Sequence, residues 1–293
     1  MTTTPPVPIV SLEDRKKVTT RLFRQKKQRG EAITMLTAYD YPTALAVDQA
    51  GMDAILVGDS LGMVVLGYEN TLPVTMEDML HHCKAVARGA KFALLIGDMP
   101  FLSYQISVPE AVRNAGRFLQ EGGMDAVKLE GGSERAHAIR EITSAGIPVM
   151  GHLGLTPQSV NQLGGFVAQG KTAEAARRLL EDALILQDAG CFSLVLESIP
   201  WQLAELVSGR LEIPTVGIGA GKGCDGQVLV THDLLGLFDR FTPRFARKYA
   251  DLHAVMLQAF SDFRLEVEAG AFPAGEHTFT MKEEEWQELL REI

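Results

Sequence analysis

The sequence has few cysteines and contains no apolar run long enough to span a membrane. Its three cysteines, Cys83, Cys191 and Cys224, are far apart and include no Cys-x-x-Cys pair. A disulfide framework or a thiolate zinc site would require closer or paired cysteines, so neither is indicated. The N-terminal residues also lack a charged leader followed by an apolar core, and we therefore expect a cytoplasmic protein with reduced thiols.

Basic residues are in the minority. The chain has 28 lysines and arginines against 37 aspartates and glutamates, which gives a formal net charge of -9. This charge disfavours nucleic acid and membrane surfaces as partners, because both are anionic. We expect small-molecule ligands instead.

Short apolar runs alternate with helical patterns along most of the 293 residues. Alternation of this kind predicts a parallel sheet, and eight repeats predict a closed barrel. We predict one (β/α)8 TIM barrel domain over residues 1–293, with an N-terminal lead and capping helix at 1–29 and an extra C-terminal helical tail at 280–293. The predicted strands are 33–36, 54–57, 92–96, 126–129, 148–150, 194–196, 215–218 and 228–230.

Helices are predicted where apolar residues recur at helical spacing, at 75–90, 108–121, 134–144 and 172–189. Residues 11–14 are predicted to cap a basic helix that ends near Gln28, and residues 243–270 to form the eighth barrel helix. Residues 281–293 are predicted to form an acidic helix. The apolar face of this helix indicates that it docks on the same or a neighbouring subunit. That face consists of Trp286, Leu289, Leu290 and Ile293.

Acidic residues follow four of the predicted strands. They are Asp59, Asp98, Glu130 and Glu197. One acid after a strand is a common turn or cap, but the carboxyl ends of parallel barrel strands meet at one rim, where active sites are built. We therefore expect the four carboxylates to share a pocket.

Lys128 and His152 lie at the same predicted rim. Lys128 and Glu130 are two residues apart, so both side chains point to the same side of a strand. A lysine inside an apolar strand needs a partner, since an isolated buried ammonium is unfavourable, and Glu130 or a bound anion would provide one. For His152, a core or turn histidine stands as an alternative to a ligand contact.

The side chains of Asp59, Asp98 and Glu130 offer only hard oxygen ligands. Mg²⁺ binds through one or two carboxylates and keeps waters that a substrate can displace. Zinc would favour more nitrogen or sulfur ligands. The sequence therefore predicts a Mg²⁺ site.

A glycine-rich run at residues 217–223 suggests a phosphate-binding loop but departs from the known patterns. A Walker loop requires glycine where Val216 stands and serine or threonine where Gly223 stands. The dinucleotide spacing of Gly221, Gly223 and Gly226 is followed by a predicted strand instead of a helix. We interpret the run as a tight turn at the barrel rim.

Several motifs in the sequence are more specific than strand ends and turns. They are Thr37-Ala38-Tyr39-Asp40-Tyr41, Val57-Gly58-Asp59-Ser60-Leu61-Gly62-Met63, Thr71-Leu72-Pro73-Val74-Thr75, Val127-Lys128-Leu129-Glu130-Gly131-Gly132, Gly151-His152-Leu153-Gly154-Leu155-Thr156-Pro157-Gln158-Ser159 and Gly217-Ile218-Gly219-Ala220-Gly221. These motifs resemble the 3-methyl-2-oxobutanoate (ketopantoate) hydroxymethyltransferase family. The resemblance extends from about Val18 to Phe279 and includes the closing segment 273–279.

The resemblance implies a (β/α)8 barrel enzyme that moves a one-carbon unit from 5,10-methylenetetrahydrofolate to 3-methyl-2-oxobutanoate and forms 2-dehydropantoate. It also implies a homo-oligomer, which in bacteria is usually a decamer. Carried over residue by residue, it makes Asp59 and Asp98 ligands of Mg²⁺. Glu130 would be the third acid, either a ligand or held through water.

The resemblance also implies which residues meet the substrate. These positions are Asp59, Ser60, Asp98, Lys128 and His152, and Glu197 matches the general base. An α-keto acid can bind Mg²⁺ through its keto oxygen and carboxylate, and the ion would stabilise the enolate that forms as the C3 proton leaves. Glu197 is not needed for the metal, so it is free to accept that proton.

Some positions depart from the family pattern. Ser198 follows the expected base where cysteine is common, residues 166–168 replace a segment that usually contains tyrosine, and the tail after Phe279 is additional. Two other interpretations stay open. One is a Mg²⁺-dependent lyase or mutase of the phosphoenolpyruvate mutase type. The other is a non-catalytic barrel that binds a keto acid or acts as an assembly scaffold.

Overall fold

The chain forms a closed barrel of parallel strands in a computed structural model that describes residues 15–238 and 243–293. The strands are β1 (Ile33–Thr37), β2 (Ala54–Val57), β3 (Leu94–Asp98), β4 (Ala126–Glu130), β5 (Val149–Gly154), β6 (Ser193–Glu197), β7 (Thr215–Ile218) and β8 (Gly226–Leu229). Each strand pairs with the next in the chain, and β8 pairs with β1 to close the ring. The predicted TIM barrel is confirmed, although β8 begins two residues earlier than predicted.

Helices follow most of the strands. They are α1 (Thr20–Arg29), α2 (Tyr41–Gln49), α3 (Leu61–Val64), α4 (Met76–Gly89), α5 (Val108–Gln120), α6 (Ala136–Ser144), α7 (Val160–Leu163), α8 (Ala173–Asp188), α9 (Trp201–Arg210), α10 (Thr231–Leu235), α11 (Leu252–Glu268) and α12 (Glu283–Glu292). Short 3-10 helices span Ser133–Arg135, Pro157–Ser159 and Gly275–His277.

Side-chain caps fix the starts of the longer helices. At α4, Thr75 Oγ1 accepts a hydrogen bond from the Asp78 N–H at 3.1 Å, and Asp78 Oδ2 accepts one from the Thr75 N–H at 3.0 Å. At α8, Thr172 Oγ1 accepts one from the Ala175 N–H at 3.2 Å. These bonds satisfy backbone donors that the first turn of a helix leaves unpaired, so both helices begin where the sequence predicts.

Two apolar layers enclose the strands, because successive strand residues point to opposite faces. Ala54 and Leu94 belong to the cluster inside the barrel. Their chain neighbours Ile55 and Leu95 belong to the outer cluster, beneath the helices. Burial of both faces explains why these strands are nearly continuous apolar runs in the sequence.

Helix α1 lies against the N-terminal end of the barrel, but it starts later than predicted. Thr19 caps it, with Oγ1 accepting a hydrogen bond from the Leu22 N–H at 3.4 Å. Residues 15–19 are not helical, so the prediction of a basic helix starting at residues 11–14 is wrong in its described part, and residues 11–14 lie outside the described residues. Phe23 is fully buried in the cluster inside the barrel, which seals this end.

The prediction of an eighth barrel helix over residues 243–270 is wrong in its start and in its packing. Residues 243–251 are not helical, α11 begins at Leu252, and none of its residues is buried. The large apolar side chains exposed on it are Val255, Met256, Leu257, Phe260, Phe263, Leu265 and Val267. Helical periodicity predicts an apolar face, but it does not specify which surface covers that face.

The flank of the barrel formed by β8 and β1 is open. Thr34 and Gln227 are paired across these strands and both are exposed. The corresponding outward residues of β2 and β3, Ile55 and Leu95, are buried in the outer cluster. Among the described residues, no helix buries Thr34 or Gln227, so the layer of helices is incomplete here.

The connection between β7 and β8, residues 219–225, contains no helix. Gly219 and Gly221 have φ angles of 64° and 79°, a left-handed conformation that favours glycine. A Cβ at Gly219 would lie 2.7 Å from the Phe245 ring. The glycine run is therefore a tight turn, as interpreted from the sequence.

Helix α12 confirms the helical tail, and none of the barrel residues within 15–238 and 243–293 buries its apolar face. Trp286 is 44% exposed and Ile293 is 91% exposed. In the described parts of the chain, no helix combines the length and the apolar character that crossing a bilayer requires.

Candidate active site

The predicted site residues come together at the carboxyl ends of consecutive strands. Asp59 follows β2, Asp98 ends β3, Lys128 and Glu130 lie at the end of β4, His152 lies in β5 and Glu197 ends β6. The first five of these are buried, whereas the Glu197 side chain is 17% exposed. The barrel thus collects buried carboxylates, one lysine and one histidine at its rim, with a more accessible carboxylate at one end.

The nearest partner of Lys128 is Asp98. Lys128 Nζ lies 2.8 Å from Asp98 Oδ1 and 3.9 Å from Glu130 Oε1. Asp98 and Lys128 are opposite each other in the register of β3 and β4. Burial alone would lower the pKa of Lys128, but the surrounding carboxylates outweigh it and raise the pKa, so the ammonium stays charged. The sequence predicted Glu130 or a bound anion as the partner of this lysine, but Asp98 is the nearer carboxylate and Glu130 the more distant one.

His152 lies between two carboxylates. Its Nδ1 is 3.3 Å from Glu130 Oε1, and its Nε2 is 3.2 Å from Glu197 Oε2. Burial and the charge of Lys128 lower the pKa of His152, but the contacts with Glu130 and Glu197 outweigh them and raise it to about 9. The ring is therefore an imidazolium near neutral pH that lies between the two carboxylates, although neither Glu130 Oε1 nor His152 Nε2 has an aligned hydrogen-bond partner among the described residues.

Asp59 and Asp98 are crowded together beneath the rim. The Asp59 N–H donates a hydrogen bond to Asp98 Oδ2 at 3.2 Å. Burial, followed by the charges of Asp98 and Glu130, raises the pKa of Asp59 well above its ordinary value. Burial also raises the pKa of Asp98, although Lys128 partly offsets it. Both carboxylates thus lack sufficient positive charge from the protein.

Glu130 behaves differently because it faces more donors. Burial would raise its pKa, but the bond to His152, the charges of His152 and Lys128, and a bond from the backbone of Gln158 together lower it. The Gln158 N–H donates to Glu130 Oε2 at 3.0 Å. Of the three buried acids, Glu130 is therefore the one whose ionised form is favoured by its surroundings.

The donor set fits a hard divalent cation. Buried Asp98 Oδ1 and Glu130 Oε1 have ion-pair neighbours but no aligned hydrogen-bond donor among the described residues. Asp59 adds a third buried carboxylate whose charge is unfavourable there. A dication would relieve that repulsion, and oxygen ligands favour Mg²⁺ over zinc.

Protein side chains alone do not build a complete metal cage. In the described ranges 15–238 and 243–293, no group of three or more His, Cys, Asp and Glu residues is arranged to hold a metal ion. This agrees with the coordination habits of Mg²⁺, which uses one or two carboxylates and takes its other ligands from water and substrate.

Ser60, predicted at the substrate, lies half-buried next to the buried Asp59. Its Oγ is 2.9 Å from the hydroxyl of Tyr39, which is fully buried after β1. Tyr39 therefore holds the Ser60 side chain from below. Tyr39 lies in one of the motifs quoted above, but its apolar surroundings gave no sign of this contact.

Two further buried residues belong to the site and were not predicted as site residues. Gln158 Nε2 donates to Asp59 Oδ2 at 2.9 Å. Tyr104 contacts no carboxylate, but its hydroxyl donates to Gln158 Oε1 at 2.7 Å. Both residues lie in connections between a strand and the next long helix, where no periodic pattern indicates the direction of a side chain.

A separate cavity of about 660 Å³ lies at the opposite end of the barrel. Arg21, Arg24 and Glu212 are among its lining residues, and none of the predicted site residues contributes to it. Arg24 is already paired with Glu212 at 2.7 Å, and both are largely exposed. The predicted site residues therefore lie at the carboxylate-lined rim and not in this cavity.

Known proteins share both the sequence and the fold. A relative from Syntrophomonas wolfei, a 3-methyl-2-oxobutanoate hydroxymethyltransferase, is 60% identical over 268 residues, which are 92% of this chain and 97% of that protein. A second from Syntrophus aciditrophicus with the same name is 59% identical over 264 residues, 90% of this chain and 97% of that protein.

Solved structures with the same architecture are more distant in sequence. Phosphonopyruvate hydrolase in complex with oxalate and Mg²⁺ has a TM-score of 0.60 and 14% identity, and the match covers 93% of this chain and 96% of that chain. 2,3-Dimethylmalate lyase, a member of the PEP mutase/isocitrate lyase superfamily, has a TM-score of 0.54 and 16% identity over 86% of this chain and 98% of that chain. These similarities establish a shared barrel fold.

The family model for ketopantoate hydroxymethyltransferase matches residues 17–275, a span that includes every residue of the carboxylate-lined rim. The match and the two close relatives agree with the resemblance seen in the motifs. On these grounds the chain belongs to the ketopantoate hydroxymethyltransferase family of transferase enzymes.

Proposed function

We propose that this enzyme transfers a hydroxymethyl group from 5,10-methylenetetrahydrofolate to 3-methyl-2-oxobutanoate and forms 2-dehydropantoate for pantothenate synthesis. The observation that supports it best is the position of His152 between Glu130 and Glu197. On the Glu130 side, the buried acids and the Lys128–Asp98 pair suit a hard cation and a keto acid. On the other side, the partly exposed Glu197 suits a base. Membership of the family supplies the substrates.

Asp59 and Asp98 would hold Mg²⁺, with Glu130 as a direct ligand or a ligand through water. When bound, Mg²⁺ supplies a Lewis acid that polarises a carbonyl and stabilises negative charge on its oxygen. The raised pKa values of Asp59 and Asp98 support this assignment, because a cation is what their ionised forms lack.

Positive charge and a hydroxyl near these acids would orient the keto acid. Lys128 and the His152 imidazolium are buried cations that can face its carboxylate. Ser60, held by Tyr39 at 2.9 Å, adds a hydroxyl at the rim. Together with Asp59 and Asp98, these groups would fix the substrate so that its C3–H faces Glu197.

Glu197 would be the general base. Its side chain is partly exposed, and one of its oxygens, Oε2, lies 3.2 Å from Nε2 of the His152 ring. Its other oxygen is available to accept the C3 proton, which leaves an enolate. Water hydrolyses the methylene bridge of the folate, which breaks both C–N bonds and releases tetrahydrofolate and formaldehyde. The enolate carbon then attacks the formaldehyde carbon, and the new alkoxide takes up a proton to become the hydroxymethyl group.

Proton exchange tests the base without folate. The wild-type enzyme with Mg²⁺ and 3-methyl-2-oxobutanoate in D₂O is expected to exchange the C3 proton, followed by NMR, and to form 2-dehydropantoate when the folate is added. Glu197→Gln should lose exchange by about 10²-fold or more. Glu205→Gln, a matched change at an exposed residue of α9, should exchange normally. Normal exchange by Glu197→Gln would remove Glu197 from the base role.

The proposal includes a homo-oligomer, a decamer on the family resemblance, that works in the cytoplasm. Its support in this chain is α11, in which Phe260 is 63% exposed and Phe263 is 56% exposed. Apolar surface of this extent on a helix usually marks a protein contact. A second copy is the expected cover, and light scattering on the purified protein measures the assembly directly.

A further inference from the structure

We infer that Gln158 is a positioning residue that sets the orientation of Asp59 and Glu130, the carboxylates of β2 and β4, for a divalent cation. This inference rests on the proposed function, because it concerns the same cation site. Gln158 contacts both acids, although it belongs to neither strand. It lies in the 3-10 helix Pro157–Ser159, which follows β5.

The side-chain amide of Gln158 uses all of its hydrogen-bonding capacity. Its Nε2 donates to Asp59 Oδ2 at 2.9 Å and to the Met99 carbonyl at 2.9 Å. Its Oε1 accepts from the Tyr104 hydroxyl at 2.7 Å and from Gln105 Nε2 at 3.3 Å. A buried amide with two donors and two acceptor positions occupied has one stable placement.

The partners also fix which end of the amide faces Asp59. Exchange of Oε1 and Nε2 would direct an oxygen at the Asp59 carboxylate and at the Met99 carbonyl, two acceptors. It would also direct the NH₂ group at Gln105 Nε2, another donor. All three contacts would then be repulsive, so the NH₂ group of Gln158 faces Asp59.

Tyr104 holds the amide from the opposite side. Its hydroxyl accepts a hydrogen bond from the Glu130 N–H at 3.1 Å, and its single hydrogen is directed at Gln158 Oε1, the closer of its two acceptors. Tyr104 therefore links the backbone of Glu130 to the amide that contacts Asp59.

The backbone of Gln158 completes the arrangement. Its N–H donates to Glu130 Oε2 at 3.0 Å, which leaves Oε1 on the side of His152 and Lys128. The side chain in turn occupies Asp59 Oδ2. One residue thus engages one oxygen of each carboxylate and leaves the second oxygen of each for a ligand. Outer partners of this kind orient metal ligands in proteins.

Cation affinity distinguishes positioning from a general structural role. Gln158→Met keeps the length of the side chain and removes the amide, and Gln162→Met makes the same change at an exposed position of α7. The free Mn²⁺ concentration, measured by electron paramagnetic resonance without keto acid, gives the Kd of each full-length variant. Gln158→Met is expected to raise that Kd about 10-fold to 100-fold. Gln162→Met is expected to leave it unchanged.

Activity provides a second readout. If Gln158 acts through the cation site, high Mg²⁺ should restore part of the activity lost in Gln158→Met, whereas a general packing defect would not respond to the ion. Tyr104→Phe should raise the Mn²⁺ Kd less. The double variant should fall short of the product of the two single effects, because both residues act on the same amide. Tyr104→Phe also serves as the test if Gln158→Met does not fold.

The outcomes separate this inference from the proposed function. A wild-type protein that binds no Mn²⁺ and forms no product overturns the proposed function. An active wild type together with a folded Gln158→Met of unchanged Mn²⁺ Kd, or with a Tyr104→Phe of unchanged Kd where Gln158→Met is unfolded, overturns the positioning role alone.

Discussion

Replacement of Lys128 by methionine should destabilise the protein strongly. The Lys128 side chain is buried, and its ammonium lies 2.8 Å from Asp98 Oδ1 and 3.9 Å from Glu130 Oε1. Methionine fills much of the same space without the charge, so Asp98, Glu130 and Asp59 would remain buried with only His152 to offset them. Removal of one partner from a buried ion pair costs about 3–5 kcal/mol. We expect the free energy of unfolding to fall by about that amount.

The pH dependence of the loss follows from the acids left behind. Burial already raises the pKa of Asp98, and loss of Lys128 raises it further in the folded state. Between the unfolded and folded pKa values the folded variant binds more protons than the unfolded chain, so its stability falls as the pH rises through that window. The deficit should therefore be smaller at about pH 5 than at about pH 8.

Urea unfolding followed by circular dichroism, with EDTA present, measures this difference. Lys17→Met is the matched control, because Lys17 pairs with Asp125 at 2.6 Å but both side chains are more than a third exposed. Exposed pairs contribute about 0–1 kcal/mol. A Lys128→Met variant that loses no more stability than Lys17→Met would refute the view that this lysine compensates the buried acids.

Three further predictions concern stability and assembly. Burial raises the pKa of Asp233 to about 6, so its ionised form destabilises the fold as the pH rises from the pKa of the unfolded chain through about 6. Asp233→Asn should therefore stabilise the protein by about 1 kcal/mol at neutral pH, after allowance for solvent screening. Equal urea midpoints for the two proteins would contradict this. Thr75→Ala removes the cap of α4 and should lower the free energy of unfolding, measured in urea, by about 1 kcal/mol. An unchanged free energy of unfolding would show that the capping contacts contribute nothing. Phe260→Asp combined with Phe263→Asp should reduce the assembly size in light scattering with unchanged circular dichroism, and an unchanged mass would exclude α11 from the interface.

Much of the barrel could be predicted because its signals are local. Most strands are apolar runs buried on both faces, and each acid lies at or just after a strand end, so topology alone brings Asp59, Asp98 and Glu130 to one rim. The partner of Lys128 could not be predicted from such local signals. It depends on the register of β3 and β4, which places Asp98 opposite Lys128 and which no single segment specifies.

The errors share a physical origin. Residues 243–270 were predicted to form the eighth barrel helix, but no residue of α11 is buried. Helical periodicity indicates an apolar face and does not specify which surface covers that face. The start of α1 depended on the hydrogen bond at Thr19, which a plausible earlier cap obscured. The contacts of Gln158 depend on a loop that crosses the rim, and loops have no period from which a side chain's direction can be deduced.

The imidazolium between Glu130 and Glu197 makes the two halves of the rim electrically interdependent. Neutralising Glu130 would remove one of the charges that keep the ring protonated, and a neutral ring would no longer place a positive charge beside Glu197. Rate losses from single substitutions at these positions should consequently not multiply, and only combined variants can apportion them. A substitution of Glu197 can therefore weaken cation binding near Glu130, on the other side of the His152 imidazole.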